Sequence, residues 1–507
     1  MSWGDDAVGE SIRSLVEGTD VKTRALSVAI LGAGAAGLCM AIKLRNAGVE
    51  NLTIFEKAGS VGGTWRDNTY PGSGCDVPSM LYSYSFEPKP DWTRKFAPQP
   101  EIVEYFEMVA RKYRLLPHIR FNTEIVEARF DEAEGRWHIR SAAGEAFTAN
   151  VLISGVGQLN RPAYPKIEGL DDFKGAAFHS ARWDHGVDLD GKRIGVIGNG
   201  ASAIQFVPEI APRAGKLTIF QRTPNWCVPK PDRPFTEFEK KLHRAIPALA
   251  RLQRWWTWMM LERNYMAFVQ GSFFGKLFER AALKEMEAHI EDPELRKKLT
   301  PDYPAGCKRI LLTNDWYPAL ARDNVEVETS HIARIAADTI VTEDGVVHPV
   351  DVIIHATGFE STDFLAPMKI VGRSGMDLND VWARGAEAHR GVAVAGFPNF
   401  FMLYGPNTNL GHNSIIFMIE CQANYIAQCV AALRNSKLRY LDVRKEAMES
   451  FNRELQRDMQ KTVWAAGCSS WYKTADGKIT NNWSSFTARY WWQMRHPDFG
   501  EYSFVAA

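Results

Sequence analysis

The chain has 507 residues, of which 45% are hydrophobic and 24% are charged, an ordinary composition for a soluble globular protein. Because a single hydrophobic core rarely serves more than about 250–300 residues, two or three domains are expected. Basic and acidic residues number 60 each, which removes any general electrostatic argument for binding nucleic acid or an anionic membrane. We therefore expect neither as a partner.

Two segments need to be distinguished from targeting or membrane-spanning sequences. Residues 1–20 have no basic start followed by an apolar run, so they do not match a secretory signal. The most apolar run, Arg254 to Phe268, is interrupted by Glu262 and Arg263 and is too short to span a bilayer. We interpret it as a packed helix within an insertion, with a membrane-facing helix as the alternative. A cytoplasmic location is expected.

Seven cysteines are spread along the chain without C-x-x-C or paired zinc-ligand spacing: Cys39, Cys75, Cys227, Cys307, Cys421, Cys429 and Cys468. Their number is odd and nothing suggests secretion, so we expect free thiols in a reducing cytosol and no metal site. The spacing also disfavours a flavin-linked disulfide reductase, because that class needs two close redox-active cysteines.

The first glycine-rich turn has the pattern of a dinucleotide-binding βα unit. Val28 to Leu31 is a short apolar strand, and Gly32, Gly34 and Gly37 then give G-x-G-x-x-G at the start of a helical pattern. Such glycines permit the tight turn, the approach of a pyrophosphate and close helix–strand packing. The next strand candidate ends in Glu56, where a carboxylate can accept hydrogen bonds from an adenosine ribose. A glycine-rich turn without a ligand is the alternative.

The same pattern recurs in the middle of the chain. Gly198 and Gly200 match the first two glycines, and Ala203 takes the third position, which is an accepted variant. The following strand candidate ends in Arg222 and Thr223 instead of a carboxylate. Because a cation and a hydroxyl suit a 2′-phosphate, this second unit predicts NADPH binding. A solvated surface role for Arg222 is the alternative.

Between the two glycine-rich turns lies a loop that carries a family signature. Phe173, Gly175, His179, Trp183 and Asp184 match every position of F-x-G-x-x-x-H-x-x-x-W followed by Pro or Asp. With this loop the chain resembles the type I Baeyer–Villiger monooxygenases, flavoproteins that insert oxygen beside a ketone carbonyl. Related N-oxygenating flavin monooxygenases usually end the loop with Tyr or Phe.

Further motifs extend the resemblance over most of the chain. A second family pattern, G-x-W-x-x-x-x-Y-P-G-x-x-x-D, is matched by Gly63, Trp65, Tyr70, Pro71, Gly72 and Asp76. The ATG stretch at residues 356–358 and the SSWY stretch at residues 469–472 also fit. The segment GQLNRP, at residues 157–162, is similar to the corresponding sequence in the branch of the hydroxyacetophenone monooxygenases.

The resemblance implies an α/β fold with two Rossmann-like dinucleotide-binding domains, one for FAD and one for NADPH, and a helical insertion. It implies that NADPH reduces the flavin and that O₂ then gives a flavin peroxide, which attacks a small-molecule ketone to form an ester or lactone. An N- or S-oxygenating flavin monooxygenase, acting for example on a sulfide, is the enzymatic alternative. A flavoprotein that only binds nucleotides is the non-enzymatic one.

The resemblance also implies roles for individual residues. Arg309 would be the active-site arginine, held in position by Asp76, and Lys308 would reach the 2′-phosphate of NADPH beside Arg222 and Thr223. Arginine suits this role because it stays protonated at any working pH. The full set of expected cofactor-binding residues is Gly32, Gly34, Ala36, Gly37, Glu56, Thr64, Trp65, Asp76, Tyr82, Val126, Gly198, Gly200, Ser202, Ala203, Arg222, Thr223, Lys308 and Trp471.

Two of these predictions have open alternatives. Trp471 is expected to cover the nicotinamide or the substrate from a mobile C-terminal loop, although a core position in an aromatic-rich tail is nearly as compatible with the sequence. For Lys308 and Arg309, a charge pair at a strand edge is the alternative. His179 is expected to be a structural and conformational element, and the loop around it to transmit nicotinamide binding to the position of the flavin domain.

The predicted domain order is discontinuous. The FAD-binding domain is expected at residues 1–157 and again at 390–507, where it includes the C-terminal loop. The NADPH-binding domain is expected at residues 158–229 and 302–389. Residues 230–301 are charged and have Trp and Leu at helical spacing, so they predict a helical insertion between the two halves of the second domain.

Overall fold

The computed structural model of the protein describes residues 25–436, 438–468, 470–474 and 476–506. The predictions made for the first 24 residues and for Ser469 of the SSWY stretch lie outside this part of the chain. The strands are β1 Val28–Leu31, β2 Leu52–Phe55, β3 Ile119–Arg120, β4 Ile125–Asp131, β5 Arg136–Ser141, β6 Ala146–Ala149, β7 Val151–Ser154, β8 Ala176–His179, β9 Arg193–Ile197, β10 Lys216–Phe220, β11 Cys227–Val228, β12 Leu311–Leu312, β13 Val325–Glu328, β14 Ile332–Ile335, β15 Thr339–Thr342, β16 Val347–Pro349, β17 Val352–His355, β18 Lys369–Val371, β19 Phe400–Met402, β20 Leu438–Val443 and β21 Tyr502–Ala506.

Helices connect and cover these strands. The α-helices are α1 Ala35–Asn46, α2 Thr64–Asp67, α3 Gln99–Lys112, α4 Ala203–Ile210, α5 Glu237–Ala245, α6 Pro247–Arg263, α7 Phe273–His289, α8 Pro293–Leu299, α9 Trp316–Leu320, α10 Leu378–Val381, α11 Ile415–Asn435, α12 Lys445–Met459 and α13 Thr487–Gln493. Short 3₁₀ turns occur between them, among them Asn264–Phe268 after α6.

The first domain is built on five parallel strands in the order β19–β7–β1–β2–β3. Strands β1 and β7 are buried throughout and, apart from Ser154, apolar, which is typical of a parallel sheet covered on both faces. Helix α1 packs against β1 and against α11 on one face. On the other face, Ala29 and Leu31 pack with Phe130 and Trp137 of a second sheet with the order β18–β4–β5–β6.

The second domain is also built on five parallel strands, in the order β13–β10–β9–β17–β8. Strand β9 leads into the second glycine-rich turn and α4, and β10 lies beside it, as in the first domain. The predicted α/β fold with two Rossmann-like domains is therefore confirmed. Residues 230–301 contain helices α5 to α8, in agreement with the predicted helical insertion.

The chain returns to the first domain earlier than predicted. Strand β18 pairs with β4 of the first domain, and Phe364, Leu378 and Ala388 belong to the same hydrophobic core as β1. The second domain therefore ends between His355 and Phe364, and the predicted boundary at residue 389 is too late. The sequence gives little signal here because the strand involved has only three residues.

One helix in the described part of the chain, α11, is long and apolar enough to cross a membrane. Most of its apolar side chains are buried in the first domain, among them Ile416, Met418 and Leu433, and it packs lengthwise against α1. Its hydrophobicity is thus explained by its position in the core of a Rossmann-like domain.

Two of the cysteines are paired, so the expectation of seven free thiols is wrong. Cys307 and Cys468 form a disulfide across 161 residues of sequence, whereas the other five cysteines are free and buried. Burial raises the pKa of the Cys227 thiol to about 12, so this side chain stays protonated and unreactive at neutral pH. The sequence did not indicate the pair because spacing alone cannot reveal two residues that only the fold brings together.

This pairing can be checked by counting thiols. We expect the protein, purified without reductant and then denatured, to show five reactive thiols by dithionitrobenzoate titration, and seven after reduction. The double variant Cys307→Ser/Cys468→Ser should show five under both conditions. Seven thiols in the unreduced wild type would contradict the disulfide.

Candidate active site

A cleft of about 790 Å³ lies where the carboxyl ends of strands from both domains meet. Segments that follow β1, β2 and β7 line one side, and segments that follow β9, β10 and β17 line the other. In parallel α/β sheets this edge is the usual place for ligands. The expected residues that line the cleft are Gly32, Gly34, Ala36, Glu56, Thr64, Trp65, Asp76, Tyr82, Val126, Gly200, Ser202, Arg222, Thr223, Lys308, Arg309 and Trp471.

The first glycine-rich turn is packed so tightly that side chains would not fit. Gly32 has a φ of +93°, and a Cβ atom on it would lie 2.8 Å from the carbonyl oxygen of Gly155. A Cβ atom on Gly37, which faces the strand and not the cleft, would collide with the carbonyl oxygen of Gly32. Gly34 caps α1 without any side-chain hydrogen bond, so the first N–H groups of that helix point at the cleft unsatisfied.

Glu56 at the end of β2 is held firmly beside this turn. It is 4% exposed, and its carboxylate accepts hydrogen bonds from the backbone N–H groups of Ala33, at 2.8 Å, and Ala58, at 3.0 Å. Arg66 also donates to it, at 3.1 Å. Because a carboxylate has about four acceptor positions, it can still accept a hydrogen bond from a ligand hydroxyl. Arg66 was not predicted as a partner.

The second turn has the same construction on the opposite side. Gly198 has a φ of +102°, and a Cβ atom on it would press against the carbonyl oxygen of Ala356. Gly200 faces open space, which leaves room for a phosphate next to the backbone. Ala203 is buried behind the turn at the start of α4, so it serves packing and does not line the cleft.

A cationic site lies beside this second turn. Lys308 donates to the hydroxyl of Thr223 at 2.6 Å, and the exposed Arg222 makes no ion pair among the described residues. Burial and then the positive charge of Arg222 lower the pKa of Lys308. Two cations that make no ion pair among the described residues, next to a hydroxyl, form a site that a dianionic phosphate would complete.

Arg309 lies next to Lys308 in sequence but faces the other domain. Its Nε donates to Oδ2 of Asp76 at 3.1 Å, and its Nη2 makes a second, shorter hydrogen bond to the same oxygen. Burial favours a neutral Asp76, but the charge and hydrogen bonds of Arg309 outweigh it and lower the pKa of the carboxyl. The negative charge of Asp76 in turn raises the pKa of Arg309. Both groups are therefore ionised at neutral pH.

The predicted flavin contacts line the same cleft as this ion pair. The indole N–H of Trp65 donates to the hydroxyl of Tyr82 at 2.9 Å, and their rings meet edge to face. The hydroxyl of Thr64 donates to the carbonyl of Leu159 at 2.9 Å, which connects α2 to the segment after β7. Val126 also lines the cleft.

The C-terminal part of the chain covers the cleft. Trp471 lines it and is partly buried, and its backbone carbonyl accepts hydrogen bonds from Asn481, at 2.7 Å, and Ser361, at 3.3 Å. The disulfide between Cys307 and Cys468 joins this cover to the segment that carries Lys308. Trp471 is thus placed at the cleft and not in an interior core.

The signature loop lies behind the cleft and does not line it. His179 is fully buried at the end of β8, and its Nδ1 accepts a hydrogen bond from the backbone of Ala181 at 3.1 Å. Burial, and then the neighbouring His355, lower the pKa of His179 to about 4, so it is neutral at physiological pH. A Cβ atom on Gly175 would collide with the carbonyl of Asp351, and Phe173 packs against the core beside β17.

This loop nevertheless reaches the first domain through two contacts. The Trp183 ring packs against Phe206 of α4, which in turn packs against Tyr70 of the second family pattern. The ring of His185, directly after Asp184, is hydrogen-bonded to the hydroxyl of Thr69 at 2.9 Å. Contacts of this kind fit the predicted conformational role, which stays a prediction.

Several residues at the cleft were missed by the sequence analysis. Tyr404 lines it with a left-handed φ of 57°, its hydroxyl donates to Asn409 at 2.7 Å, and its backbone N–H donates to the buried Gln422 at 2.9 Å. Gln205 of α4 joins the two domains by accepting from the Tyr70 hydroxyl at 2.9 Å. For Tyr404 and Asn409, the sequence signal is the polar run GPNTNLGHNS that follows Tyr404, and this run matches no general ligand-binding motif.

A possible metal-binding arrangement exists away from the cleft. Asp131, Glu134 and His138, on the β4–β5 hairpin, have ligand atoms within 4.8 Å of one another. Glu134 and His138 are exposed, and neighbouring acidic groups at a surface are common without an ion. The group contributes nothing to the cleft chemistry.

Comparison with known proteins agrees with this geometry. Residues 25–368 match the family of flavin-binding monooxygenase-like proteins. A Baeyer–Villiger monooxygenase of Pseudomonas aeruginosa is 46% identical over 95% of this chain and 92% of its own length. A Baeyer–Villiger monooxygenase of Streptomyces coelicolor is also 46% identical, over 94% of this chain and 92% of its own length.

Solved structures give the same result. The structure of an oxidised steroid monooxygenase bound to NADP superposes with a TM-score of 0.83 at 30% identity, and the alignment covers 95% of this chain and all of that one. Each of these three alignments spans 94–95% of this chain. The chain therefore belongs to the flavin-binding monooxygenase-like family, among the type I Baeyer–Villiger monooxygenases.

Proposed function

We propose that this protein uses NADPH and O₂ to insert one oxygen atom next to the carbonyl of a small-molecule ketone, giving an ester or lactone. The observation that carries the proposal is the position of Arg309. It is a permanently charged group, held by Asp76 of the other domain, in a cleft that two dinucleotide-binding turns share. The alternative of a flavoprotein that only binds nucleotides gives no reason for such a fixed cation.

The residues present fit both cofactors. In the first domain, the unsatisfied N–H groups of α1 suit a pyrophosphate, Glu56 suits a ribose, and the surface around Trp65 and Tyr82 suits a flavin ring. In the second domain, the space at Gly200 suits the NADPH pyrophosphate, and Lys308 with its neighbours suits the 2′-phosphate. FAD, when bound, supplies the redox chemistry and the activation of O₂.

Arg309 would supply electrostatic stabilisation. Negative charge develops on the ketone oxygen when a nucleophilic oxygen adds to the carbonyl carbon, and a preorganised cation stabilises that charge. The double hydrogen bond to Asp76 fixes the plane of the guanidinium, so little reorganisation is needed. Since Asp76 is ionised, it does not supply a proton to the reacting groups.

The cover formed around Trp471 would keep water out of the cleft and bound ligands in place. Exclusion of water strengthens every electrostatic interaction within the site. We place the FAD-binding domain at the described parts of residues 1–157 and from about residue 364 onward, and the NADPH-binding domain in the described residues between them outside the insertion. We also propose that the enzyme is cytoplasmic, so the Cys307–Cys468 disulfide would have to persist in a reducing compartment.

Sulfoxidation is a second candidate activity. An electrophilic oxygen donor in the same cleft can oxidise a sulfide without any carbonyl adduct, so this reaction would depend less on Arg309. A comparison of ketone and sulfide substrates therefore separates the two roles.

The first prediction concerns the flavin. The protein should purify with FAD and not FMN, because the glycine-rich turn and Glu56 are built to hold the adenosine half. The check is chromatography of the cofactor released by heat. Glu56→Ala should lower FAD content, whereas Glu50→Ala, at an exposed position before β2, should not. Release of FMN from the wild type would contradict the assignment.

The second prediction concerns the 2′-phosphate. Arg222→Ala should raise the KM for NADPH about tenfold or more and change the KM for NADH little, because a charge-assisted hydrogen bond contributes about 1.5–3 kcal/mol. Steady-state kinetics with both coenzymes make the test. Arg322→Ala, an exposed arginine elsewhere in the same domain, is the matched control. Equal effects on the two coenzymes would show that Arg222 does not contact the phosphate.

The third prediction concerns Arg309. Arg309→Ala should retain FAD yet lose at least about a hundredfold in ester formation, since removal of one preorganised stabilising group typically costs that much. Arg309→Lys should rescue poorly because an ammonium cannot reproduce the planar fork that Asp76 holds. Product is measured by mass spectrometry on a ketone that the wild type oxidises. Near-normal ester yield from the FAD-loaded Arg309→Ala variant would remove this residue from the mechanism.

A further inference from the structure

Exposed hydrophobic side chains are concentrated in the helical insertion. Of the fifteen large hydrophobic residues that are exposed in the described part of the chain, eight lie within residues 230–301, which form about one seventh of the sequence. Single exposed apolar residues are normal at a protein surface, but a concentration of them marks an interaction site. The proposed function of the cleft does not explain them.

Six of these residues form what we call the insertion face: Leu252, Trp255, Trp256, Met266, Phe273 and Leu277. Leu252, Trp255 and Trp256 lie on α6. Trp255 and Trp256 follow Leu252 by three and four positions, so the three side chains lie on one side of the helix. Phe273 and Leu277 are four positions apart on α7 and therefore also share one side of their helix. Met266 lies in the 3₁₀ turn Asn264–Phe268, which packs against both helices and so connects the two exposed surfaces.

Basic side chains accompany the insertion face. Arg251, Arg263, Lys276 and Arg280 are exposed, occupy the same sides of the two helices, and make no side-chain hydrogen bond or ion pair with any described residue. Arg251 precedes Trp255 by one helical turn, and Lys276 is adjacent to the last member of the face.

The carboxylates of the two helices mostly point elsewhere. Glu262 is buried and accepts hydrogen bonds from Asn413 at 2.9 Å and Thr487 at 2.7 Å. Glu279 accepts from the backbone of Ala305 at 3.0 Å. The exposed Glu287 lies further along α7, beyond the basic residues. The insertion face is therefore apolar and positively charged, although the chain as a whole is neutral.

We propose that the insertion face docks the enzyme onto an anionic lipid surface. Tryptophan favours the boundary between headgroups and acyl chains, and apolar side chains beside it can enter the outer part of the bilayer. Unpaired lysine and arginine next to them attract anionic headgroups. Helix α6 has 17 residues and carries charges, so it lies on the membrane and does not cross it.

A second copy of the chain fits this surface less well. Most homodimers are two-fold symmetric, so the same patch must face itself across the interface. Arg251, Arg263, Lys276 and Arg280 would then approach their own copies without carboxylates to compensate them, and like charges in contact are unfavourable. A negatively charged lipid surface meets every one of these cations with the opposite sign.

The insertion face lies close to the cleft, so docking onto a membrane would affect how substrates reach the cleft. The other side of α6 contacts a residue of the cleft: Asn413, which lines the cleft, donates a hydrogen bond to Glu262 of α6 at 2.9 Å. Docking would bring this wall of the cleft next to lipid, where apolar ketones concentrate. The binding itself does not depend on the proposed reaction.

The experiment is sedimentation of the FAD-loaded, full-length enzyme with vesicles. We expect binding to vesicles of equal parts phosphatidylcholine and phosphatidylglycerol, weak binding to phosphatidylcholine alone, and loss of binding at high salt. Trp255→Ser/Trp256→Ser should weaken the binding at least about tenfold. Trp492→Ser, which alters a tryptophan that is 67% exposed outside the insertion, is the control and should bind as the wild type does.

A charge variant tests the electrostatic part separately. Arg251→Glu/Lys276→Glu should also weaken binding about tenfold or more, since each basic residue near an anionic surface contributes appreciably. Arg136→Glu/Lys192→Glu changes the same number of exposed charges outside the insertion and should have little effect. NADPH oxidation and FAD content should be normal in all these variants, which also shows that they are folded.

Three outcomes would overturn the proposal. The first is the absence of wild-type sedimentation with anionic vesicles, and the second is equal sedimentation of the wild type and both insertion-face variants. The third is a wild-type dimer, measured by light scattering, that the tryptophan variant converts to a monomer while vesicle binding is absent. That result would assign the face to a second copy. Failure of the ketone reaction with intact vesicle binding would affect only the proposed function.

Discussion

The arrangement of the cleft depends on one ion pair between domains. Arg309 comes from the second domain and Asp76 from the first, 233 residues apart in sequence, and each maintains the charge of the other. The pair places a cation in the cleft that the two glycine-rich turns share. In the proposed mechanism, the relative position of the domains is therefore part of the catalytic geometry. A half-buried charged pair of this kind contributes little to net stability, so its value lies in positioning.

The same cleft separates two kinds of positive charge. The charge of Arg309 is balanced by its ion pair with Asp76, whereas Lys308 and Arg222 make no ion pair among the described residues and repel each other. Lys308 and Arg309 are adjacent in sequence, but only Arg309 has an ion-pair partner, because their side chains point to different domains. In the proposed mechanism, Arg309 stabilises charge that appears only during the reaction, and Lys308 and Arg222 bind charge that arrives with a ligand.

Much of this could be predicted from the sequence where a motif is local. Three features follow from short-range patterns, and the fold agrees with them: the glycine-rich turns, the acidic Glu56 or basic Arg222 after the following strand, and the helical insertion. Contacts between distant segments could not be predicted from residues alone. The Cys307–Cys468 disulfide, the pairing of β18 with β4 and the Tyr404–Asn409 hydrogen bond each join positions that only the tertiary structure brings together. The active-site role of Arg309 was predicted from the family resemblance and not from a pattern in the residues themselves.

The discontinuity of the first domain has a consequence for biosynthesis. Its edge strand β19 and the core helix α11 are more than 350 residues from β1. At typical translation rates of about 5–20 residues per second, the ribosome needs on the order of tens of seconds to deliver them. The second domain and the insertion emerge complete during that interval. Meanwhile, the four N-terminal strands of the first sheet lack β19, and the apolar surface of α1 is not yet covered by α11. A nascent chain of this enzyme should therefore depend on chaperones at the N-terminal domain, and late truncations should harm that domain first.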